Sequence, residues 1–351
     1  MSQLKAGGDL GIVIAILIFS IIVIFHEFGH FILAKQHGIV VTEFSIGMGP
    51  KLAGFKKGDT LYAWRLLPFG GACVMMGEDE AMEEEGSFNS KSVWARMSVI
   101  LAGPIFNFVL AFVFSLFFIS QTGYRDGEIA SVEEGSPAME AGLLPGDVIT
   151  QIDDTKVRIF SDLTLHFFLN QGQEYEITYL REGETNTVKV TPFLDENGSY
   201  RIGIRGAVKK DANFLQLIQY SGYEVGYNIK MVVKSLGMIF SGQVTTNDIA
   251  GPVGMVSMID DAYEQSIDYG IISTVLTMVK LVIILSANLG VMNLLPIPAL
   301  DGGRMLFLIY EAIRGKPINR EKEGLVNFIG FALLMVLMVF VLFNDIRRLF
   351  L

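Results

Sequence analysis

The stretch FHEFGHFI, residues 25–32, sets two imidazoles and a carboxylate in an otherwise apolar run. If the run is helical, His26 and His30 lie one turn apart and point the same way, so both can bind one metal ion. Glu27 then stands beside the metal, where its carboxylate can take a proton from a metal-bound water. The spacing therefore predicts the HExxH arrangement, with two metal ligands and a general base.

A second interpretation is that both histidines only hydrogen-bond within a helix bundle, with Glu27 as their partner. However, an ionisable side chain at bilayer depth costs at least about 2.5 kcal/mol, and three such groups need more reason than packing. Two of the chain's four histidines fall in this one motif, so chance explains it poorly. His37 and His166 each stand alone, and we expect both to be ordinary polar positions.

A catalytic zinc ion needs three protein ligands and an open position for water, so a third ligand must approach from another segment. The stretch NLGVMNLLPIPALDGGR, residues 288–304, ends a later apolar run. Pro296 and Pro298 are incompatible with a regular helix there. Broken backbone is tolerated at membrane depth where it lines a cavity or is buried in protein. We therefore predict Asp301 as the third ligand.

The elements that must position these residues are membrane spans. The chain of 351 residues is 51% hydrophobic with a mean hydropathy of +0.46, too apolar for an ordinary soluble protein. Crossing a bilayer takes roughly 20 helical residues, and four apolar stretches are long enough: about 10–34, 95–120, 271–295 and 325–343. No small-residue cleavage site follows the first, so we expect a retained span rather than a signal peptide.

Lysine and arginine residues near the span ends predict the orientation, because cytoplasmic loops are enriched in them. One loop carries Lys35, Lys51, Lys56, Lys57, Arg65 and Lys91, and the loop after the third span carries Arg304, Arg314, Lys316, Arg320 and Lys322. These loops are predicted to be cytoplasmic, with both termini and the segment 121–270 outside, although Arg347 and Arg348 oppose this orientation. The formal net charge of −10 argues against a nucleic-acid partner. The single cysteine, Cys73, cannot form an intrachain disulfide.

A compact outside domain is predicted over about 123–206. The run EEGSPAMEAGLLPGDVITQID predicts a turn, a short helix ending at Gly142 and a strand beginning at Val148. Ser161 is a candidate cap for a helix that runs to about Asn170. In EYEITYL, Tyr175, Ile177 and Tyr179 alternate onto one strand face, and a turn follows at Glu182-Gly183.

The run GSPA…AGL…GDVI resembles a PDZ domain of the circularly permuted bacterial kind. A PDZ groove accepts an extended peptide as an added strand. A mixed α/β domain that binds nothing is the alternative. Beyond it, about 212–240 carries apolar residues at helical spacing. An amphipathic helix at the membrane surface is the simplest interpretation, and a helix packed on the domain is the other.

HEFGH, NLLPIPALDGG and the intervening PDZ domain together resemble the site-2 protease family of intramembrane zinc metalloproteases, in its bacterial RseP/RasP branch. The resemblance covers nearly the whole chain. It implies His26, His30 and Asp301 as Zn²⁺ ligands and Glu27 as general acid and base. It also implies that Asn293, together with Asn288, binds or positions the substrate backbone, although interhelical hydrogen bonds would explain both residues equally well.

Two further stretches match the family. SIGMGPKL and LPFGGACVMMGE resemble its membrane-dipping β-hairpin, whose edge strand, about 61–76, would pair with unwound substrate through Phe69, Gly70 and Gly71; the same residues could instead plug the site. Gly103 to Asn107 fits the family's GxxxN pattern, for which we expect a packing role.

The predicted fold class is an α-helical polytopic membrane protein with four transmembrane helices, an inserted α/β PDZ domain and a membrane-associated β-hairpin. Its parts are a first membrane half (1–122), the PDZ domain (123–206), an amphipathic linker (207–270) and a second membrane half (271–351). Enterobacterial relatives carry two PDZ domains, whereas we expect one in this chain, so a two-domain size filter does not carry over unchanged.

The implied function is zinc-dependent cleavage of single-pass proteins within a bacterial cytoplasmic membrane, with the active site toward the cytoplasm. Membrane-anchored anti-sigma factors and remnant signal peptides are the implied substrates, and a peptide ligand of the PDZ domain is a further partner. One alternative is a non-proteolytic PDZ scaffold with a structural metal, which predicts four closed ligands where we find three. Another is a zinc transporter or sensor, which needs more ligands along a path.

Overall fold

The computed structural model describes residues 8–78, 84–195, 198–243 and 250–350. The chain divides into two compact units. The helical unit is built from residues 1–114 and 232–351, and the α/β unit from residues 115–231.

The helices are α1 (Gly8–Gln36), α2 (Val93–Thr122), α3 (Pro137–Glu140), α4 (Phe160–Leu169), α5 (Phe214–Phe240), α6 (Pro252–Ile267), α7 (Ile271–Asn293), α8 (Asp301–Arg314) and α9 (Arg320–Phe350). Among the described residues, four helices are long and apolar enough to cross a membrane: α1, α2, α7 and α9. The four predicted spans are therefore confirmed. α9 extends past the predicted span of about 325–343 at both ends, into segments that carry charged residues.

The strands of the helical unit, β1 (Val41–Lys57) and β2 (Thr60–Met75), form the predicted hairpin. Glu43 pairs with both Val74 and Leu61, so the first half of β1 lies between the two halves of β2. The hairpin thus folds back into four strand segments. Gly47, with a φ of +87°, permits the bend, since an added Cβ there would lie 2.3 Å from the Leu67 carbonyl oxygen.

This pairing corrects the expectation that all of 61–76 is an edge strand. Residues 61–64 pair with β1 on both sides, so their backbone groups are already used. Residues 71–75 pair with β1 on one side, and no other strand of the described chain pairs with them. The edge is therefore the second half of β2, residues 68–75, hereafter the edge segment.

The sequence pattern did not predict α6, which packs with α1 and α7 in the helical unit. Pro252 occupies its first turn, where a missing amide hydrogen costs nothing. Its free amides are satisfied from α9: Asp345 accepts hydrogen bonds from the backbone amides of Gly251 at 3.0 Å and Gly254 at 2.8 Å. Ile259 of α6 lies in a buried cluster with Ile18, Ile22, Leu110 and Val282.

The strands of the α/β unit are β3 (Ile129–Val132), β4 (Val148–Ile152), β5 (Thr155–Lys156), β6 (Tyr175–Arg181), β7 (Glu184–Val190), β8 (Phe193–Leu194), β9 (Tyr200–Arg201) and β10 (Ile204–Gly206). The main sheet has the order β5-β4-β6-β7, and β10 pairs with β3. Tyr175, Ile177 and Tyr179 are buried together, as their alternation predicts. β6 and β7 meet at the predicted Glu182-Gly183 turn.

Ser161 does not cap α4, so that prediction is wrong. The helix already begins at Phe160, which places Ser161 inside the first turn. Asp162, at the third helical position, instead reaches back, and its carboxylate accepts hydrogen bonds from the amides of Arg158 and Ile159, which precede the helix.

Part of α5 packs within the α/β unit, the second of the two alternatives for this segment. The rings of Tyr124 and Tyr220 stack with centroids 3.8 Å apart, and Lys230 Nζ lies 3.2 Å from Asp162 Oδ1. Phe214, at the start of the helix, is exposed.

Candidate metal centre

Two imidazoles converge on the inner face of α1. His26 and His30 are buried, with 8% and 7% of their surface exposed. Because they are one helical turn apart, their Nε2 atoms approach to 3.3 Å.

Asp301, the first residue of α8, completes a triangle with them. Its Oδ2 atom lies 3.2 Å from His26 Nε2 and 3.5 Å from His30 Nε2. Two ligands of a tetrahedral zinc with bonds of about 2.0–2.1 Å are about 3.3–3.4 Å apart, so the triangle has the size of one tetrahedral face. The Oδ2 atom is buried and, among the described residues, receives no hydrogen bond of good geometry. The three side chains therefore fit a zinc ion.

The backbone before α8 is folded tightly onto its first turn. A Cβ added at Gly302 would lie 2.2 Å from the Leu295 carbonyl oxygen, and one at Gly303 would lie 2.3 Å from that of Ile297. These two glycines therefore allow the proline-broken segment to bring Asp301 to α1. The sequence predicts the break but not the helix that starts immediately after it.

Glu27 faces the edge segment of the hairpin. Its Oε2 atom accepts a hydrogen bond from the backbone amide of Cys73 at 2.9 Å. A Cβ added at Gly71 would lie 3.4 Å from Glu27 Cγ and 3.8 Å from Val23 Cγ1, so this strand runs directly against α1. Sequence reasoning drew no role from Cys73, because the contact uses its backbone rather than its thiol.

α2 contacts both imidazoles from the other side. The Nδ1 atom of His30 lies 2.9 Å from the Val99 carbonyl oxygen, and that of His26 lies 3.2 Å from the Asn107 side-chain amide. Gly103, between them, allows the approach, since an added Cβ would lie 2.4 Å from His30 Nε2. Gly103 thus has the predicted packing role, whereas Asn107 makes a polar contact that the GxxxN spacing alone did not indicate.

The predicted substrate-binding residues lie in two places. Gly70 and Gly71 are in β2, and so is the backbone of Phe69, whose side chain is not described. Gly71 is brought to Glu27, as above. Asn293 ends α7 and Asn288 lies in its last turns, and both are half-buried. Among the described residues, neither asparagine hydrogen-bonds to the three candidate ligands.

The remaining histidines have ordinary partners. His37 Nε2 lies 2.8 Å from Ser98 Oγ, and His166 Nε2 lies 2.7 Å from Asp153 Oδ2. Neither belongs to a metal-binding cluster in the described part of the chain.

The family model of Peptidase family M50 matches residues 14–337. Zinc metalloprotease RasP of Bacillus licheniformis is 35% identical over 420 residues of alignment, gaps included, which covers 96% of this chain and 98% of that protein. The regulator of sigma-W protease RasP of Bacillus subtilis is 34% identical over 422 residues, with coverage of 96% and 98%.

Solved PDZ domains resemble a smaller part of the chain. Those of the SdrC-like proteins of Listeria monocytogenes and Listeria innocua are 23% and 25% identical to it. Each match covers 24% of this chain, and they cover 90% and 96% of the solved chains, both with a TM-score of 0.22.

The chain therefore belongs to Peptidase family M50. It is a zinc metalloprotease and a polytopic α-helical membrane protein, and Zn²⁺ is its metal. The family and the enzyme class predicted from HEFGH and the LDGG stretch are confirmed.

Proposed function

We propose that this protease hydrolyses peptide bonds within, or near the cytoplasmic edge of, the transmembrane segments of single-pass membrane proteins. His26, His30 and Asp301 would hold the zinc ion, and Glu27 would be the general acid and base. The observation that carries this proposal is the buried triangle of ligand atoms, with sides of 3.2, 3.3 and 3.5 Å.

When bound, zinc would polarise the scissile carbonyl and lower the pKa of a water molecule. Glu27 would be the group that accepts a proton from the attacking water and delivers it to the leaving amine. Because Glu27 follows His26 directly on α1, ligand and base belong to one rigid turn. The Cys73 amide holds Oε2 of Glu27 and leaves Oε1 for the proton.

The substrate is proposed to bind as a strand. A helical substrate hides its carbonyls in its own hydrogen bonds, whereas an added strand pairs its backbone with a sheet edge. The edge segment offers such an edge beside Glu27, and we assign Phe69, Gly70 and Gly71 to this pairing. Asn293 and Asn288 are assigned to the substrate backbone from the end of α7.

The hairpin is proposed to dip into the bilayer. It exposes large apolar side chains that water would not favour: Met48, Leu52, Phe55, Trp64, Leu66 and Leu67.

We place the protein in a bacterial cytoplasmic membrane, with both termini and the α/β unit outside and the zinc toward the cytoplasm. The lysine and arginine residues of the loops favour this topology. Membrane-anchored anti-sigma factors and remnant signal peptides are the proposed substrates. The name of the Bacillus subtilis relative, which refers to sigma-W, favours the first class.

Residues 123–206 are proposed to act as a PDZ domain that binds an extended peptide. A groove of about 490 Å³ lies between α4 and the segment 198–204, lined by Phe160, Phe167, Phe168, Tyr200, Ile202 and Ile204. We retain 1–122, 207–270 and 271–351 as the other functional divisions.

The test is cleavage of a doubly tagged single-span substrate in liposomes, with zinc content measured on the same samples. We expect wild type to cut, and Glu27→Gln to keep about one zinc per chain while cutting about 100- to 10,000-fold more slowly. Glu140→Gln, an exposed glutamate of α3, is the matched control and should cut like wild type. A wild-type cleavage rate for Glu27→Gln would contradict the proposal. So would a zinc-loaded wild-type protein that cuts neither this substrate nor one with a shortened ectodomain.

A further inference from the structure

The two candidate histidine ligands differ in the group that meets their second ring nitrogen. His30 Nδ1 faces the carbonyl oxygen of Val99 at 2.9 Å, and a carbonyl can only accept a hydrogen bond. His30 must therefore carry its proton on Nδ1. In the neutral ring this leaves the Nε2 lone pair free for a metal.

His26 Nδ1 instead faces a side-chain amide, that of Asn107, at 3.2 Å from Nδ2. An amide nitrogen can only donate, which would make Nδ1 the acceptor and put the proton of the neutral ring on Nε2. A protonated Nε2 cannot bind a metal. The orientation of this amide thus decides whether His26 can join the triangle.

The other end of the same amide is unsatisfied. Asn107 is fully buried, and its Oδ1 atom has no hydrogen-bond partner. Amide oxygen and nitrogen are assigned by the partners they meet. Turning the amide by 180° exchanges one hydrogen bond for another and loses none, and it presents Oδ1 to a protonated Nδ1 of His26.

The backbone around Asn107 is fixed from two sides. Ser286 Oγ of α7 donates a hydrogen bond to the Asn107 carbonyl oxygen at 2.8 Å. One turn earlier, Gly103 lets α2 lie against both imidazoles. The side chain is therefore held where it meets His26 Nδ1.

We infer that Asn107 is a positioning residue of the metal centre: its Oδ1 accepts the hydrogen bond of His26 Nδ1–H and so directs the Nε2 lone pair of His26 to the zinc. The inference rests on the proposed ligand set. Outer partners of ligand histidines usually act in this way, and losing one costs about 10–100-fold in metal affinity.

The test is the zinc dissociation constant of the full-length protein in detergent, measured by competition with a chelator. Asn107→Leu keeps the size but removes the acceptor, and we expect a Kd weakened by about 10–100-fold. Asn107→Asp keeps an acceptor and should stay within about threefold of wild type, since carboxylates commonly fill this role. Ser115→Ala changes another buried side chain of α2, which has no role in the proposed centre, so it is the control for packing and should leave the Kd unchanged. If Asn107→Leu does not fold, Asn107→Ala removes the same acceptor with less bulk.

The absorption spectrum of the cobalt-substituted protein adds a readout of ligand geometry. It should change in Asn107→Leu and be preserved in Asn107→Asp. If Asn107 had only a structural role, Asn107→Asp would bury a charge and weaken zinc binding as much as Asn107→Leu does. Equal weakening in the two variants would therefore overturn the inference. A wild-type Kd for Asn107→Leu would also overturn it. His26→Ala separates the two claims: an unchanged Kd there would reject the ligand set itself, whereas a loss there with none in Asn107→Leu would reject this inference alone.

Discussion

Each unit of this protein holds a histidine against an aspartate, and the two contacts differ in what the carboxylate oxygens do. In the α/β unit, His166 Nε2 meets Asp153 Oδ2 at 2.7 Å, and Asp153 Oδ1 accepts a hydrogen bond from the backbone amide of Glu176 at 2.8 Å. In the helical unit, one buried oxygen of Asp301 faces two imidazole nitrogens without a well-formed hydrogen bond. A histidine beside an aspartate is therefore an ordinary contact, and it indicates a metal site only where a further ligand atom reaches the same point, as in the helical unit.

Removing one histidine from each contact tests the difference between the two contacts most directly. We expect His26→Ala to weaken zinc binding by more than about 100-fold, because even losing an outer partner costs about 10–100-fold. His166→Ala should keep wild-type zinc content and cost the α/β unit about 1–3 kcal/mol of stability. Zinc analysis of the two purified variants decides between these outcomes. Loss of zinc in His166→Ala, or none in His26→Ala, would show that the contacts have been assigned wrongly.

The close approach of α2 to the triangle gives a smaller effect. In Gly103→Ala the new Cβ would lie 2.4 Å from His30 Nε2, so an imidazole must move and the zinc Kd should weaken by about 10-fold or more. Gly226→Ala on α5 is the matched control, because an added Cβ there meets nothing within 4 Å. It should leave zinc affinity unchanged and favour helix by about 0.5–1 kcal/mol. Equal Kd values for the two variants would mean that α2 does not constrain the ligands.

The smallest predicted effect is on the pH dependence of stability, and it concerns the Asp147 carboxylate of the α/β unit. Burial alone would raise the pKa of Asp147, but hydrogen bonds from Arg181 and the Leu144 amide lower it below its usual range. A pKa lower in the folded than in the unfolded state stabilises the fold above about pH 4 and loses that contribution as pH falls through the folded value.

Asp147→Asn should therefore reduce the stability of the α/β unit at pH 7. The variant should also lose less stability than wild type when the pH is lowered. Hydrogen exchange of peptides from β4 and β6 in denaturant, between pH 7 and pH 3, measures this. Zinc content should not respond. An unchanged pH dependence would remove Asp147 as a source of acid sensitivity.

Local patterns predicted the parts of the site that depend on local geometry. The spacing of His26 and His30 fixes their shared face, and the two prolines before Asp301 mark the broken backbone. The strand alternation of Tyr175, Ile177 and Tyr179 likewise predicted a buried face.

What depends on pairing between distant segments was not predicted. The hairpin folds back into four segments because Glu43 pairs with two positions of β2, and strand periodicity does not encode such double pairing. In α8 the first residue, Asp301, is followed by two glycines, which lower helix propensity, so the sequence does not reveal where this helix starts. The contact of Asn107 with His26 depends on the register of α2 against α1, which the sequence of either helix leaves open.

The central claim is that the zinc is held by two imidazoles and one carboxylate in the described triangle. Zinc K-edge X-ray absorption of the full-length protein tests it most directly. We predict nitrogen and oxygen ligands at about 2.0–2.1 Å, including imidazole scattering that is reduced in His26→Ala. A thiolate ligand at about 2.3 Å, which only Cys73 could supply because it is the chain's single cysteine, would contradict the claim. A spectrum that is the same in Asp301→Ala as in wild type would contradict it too.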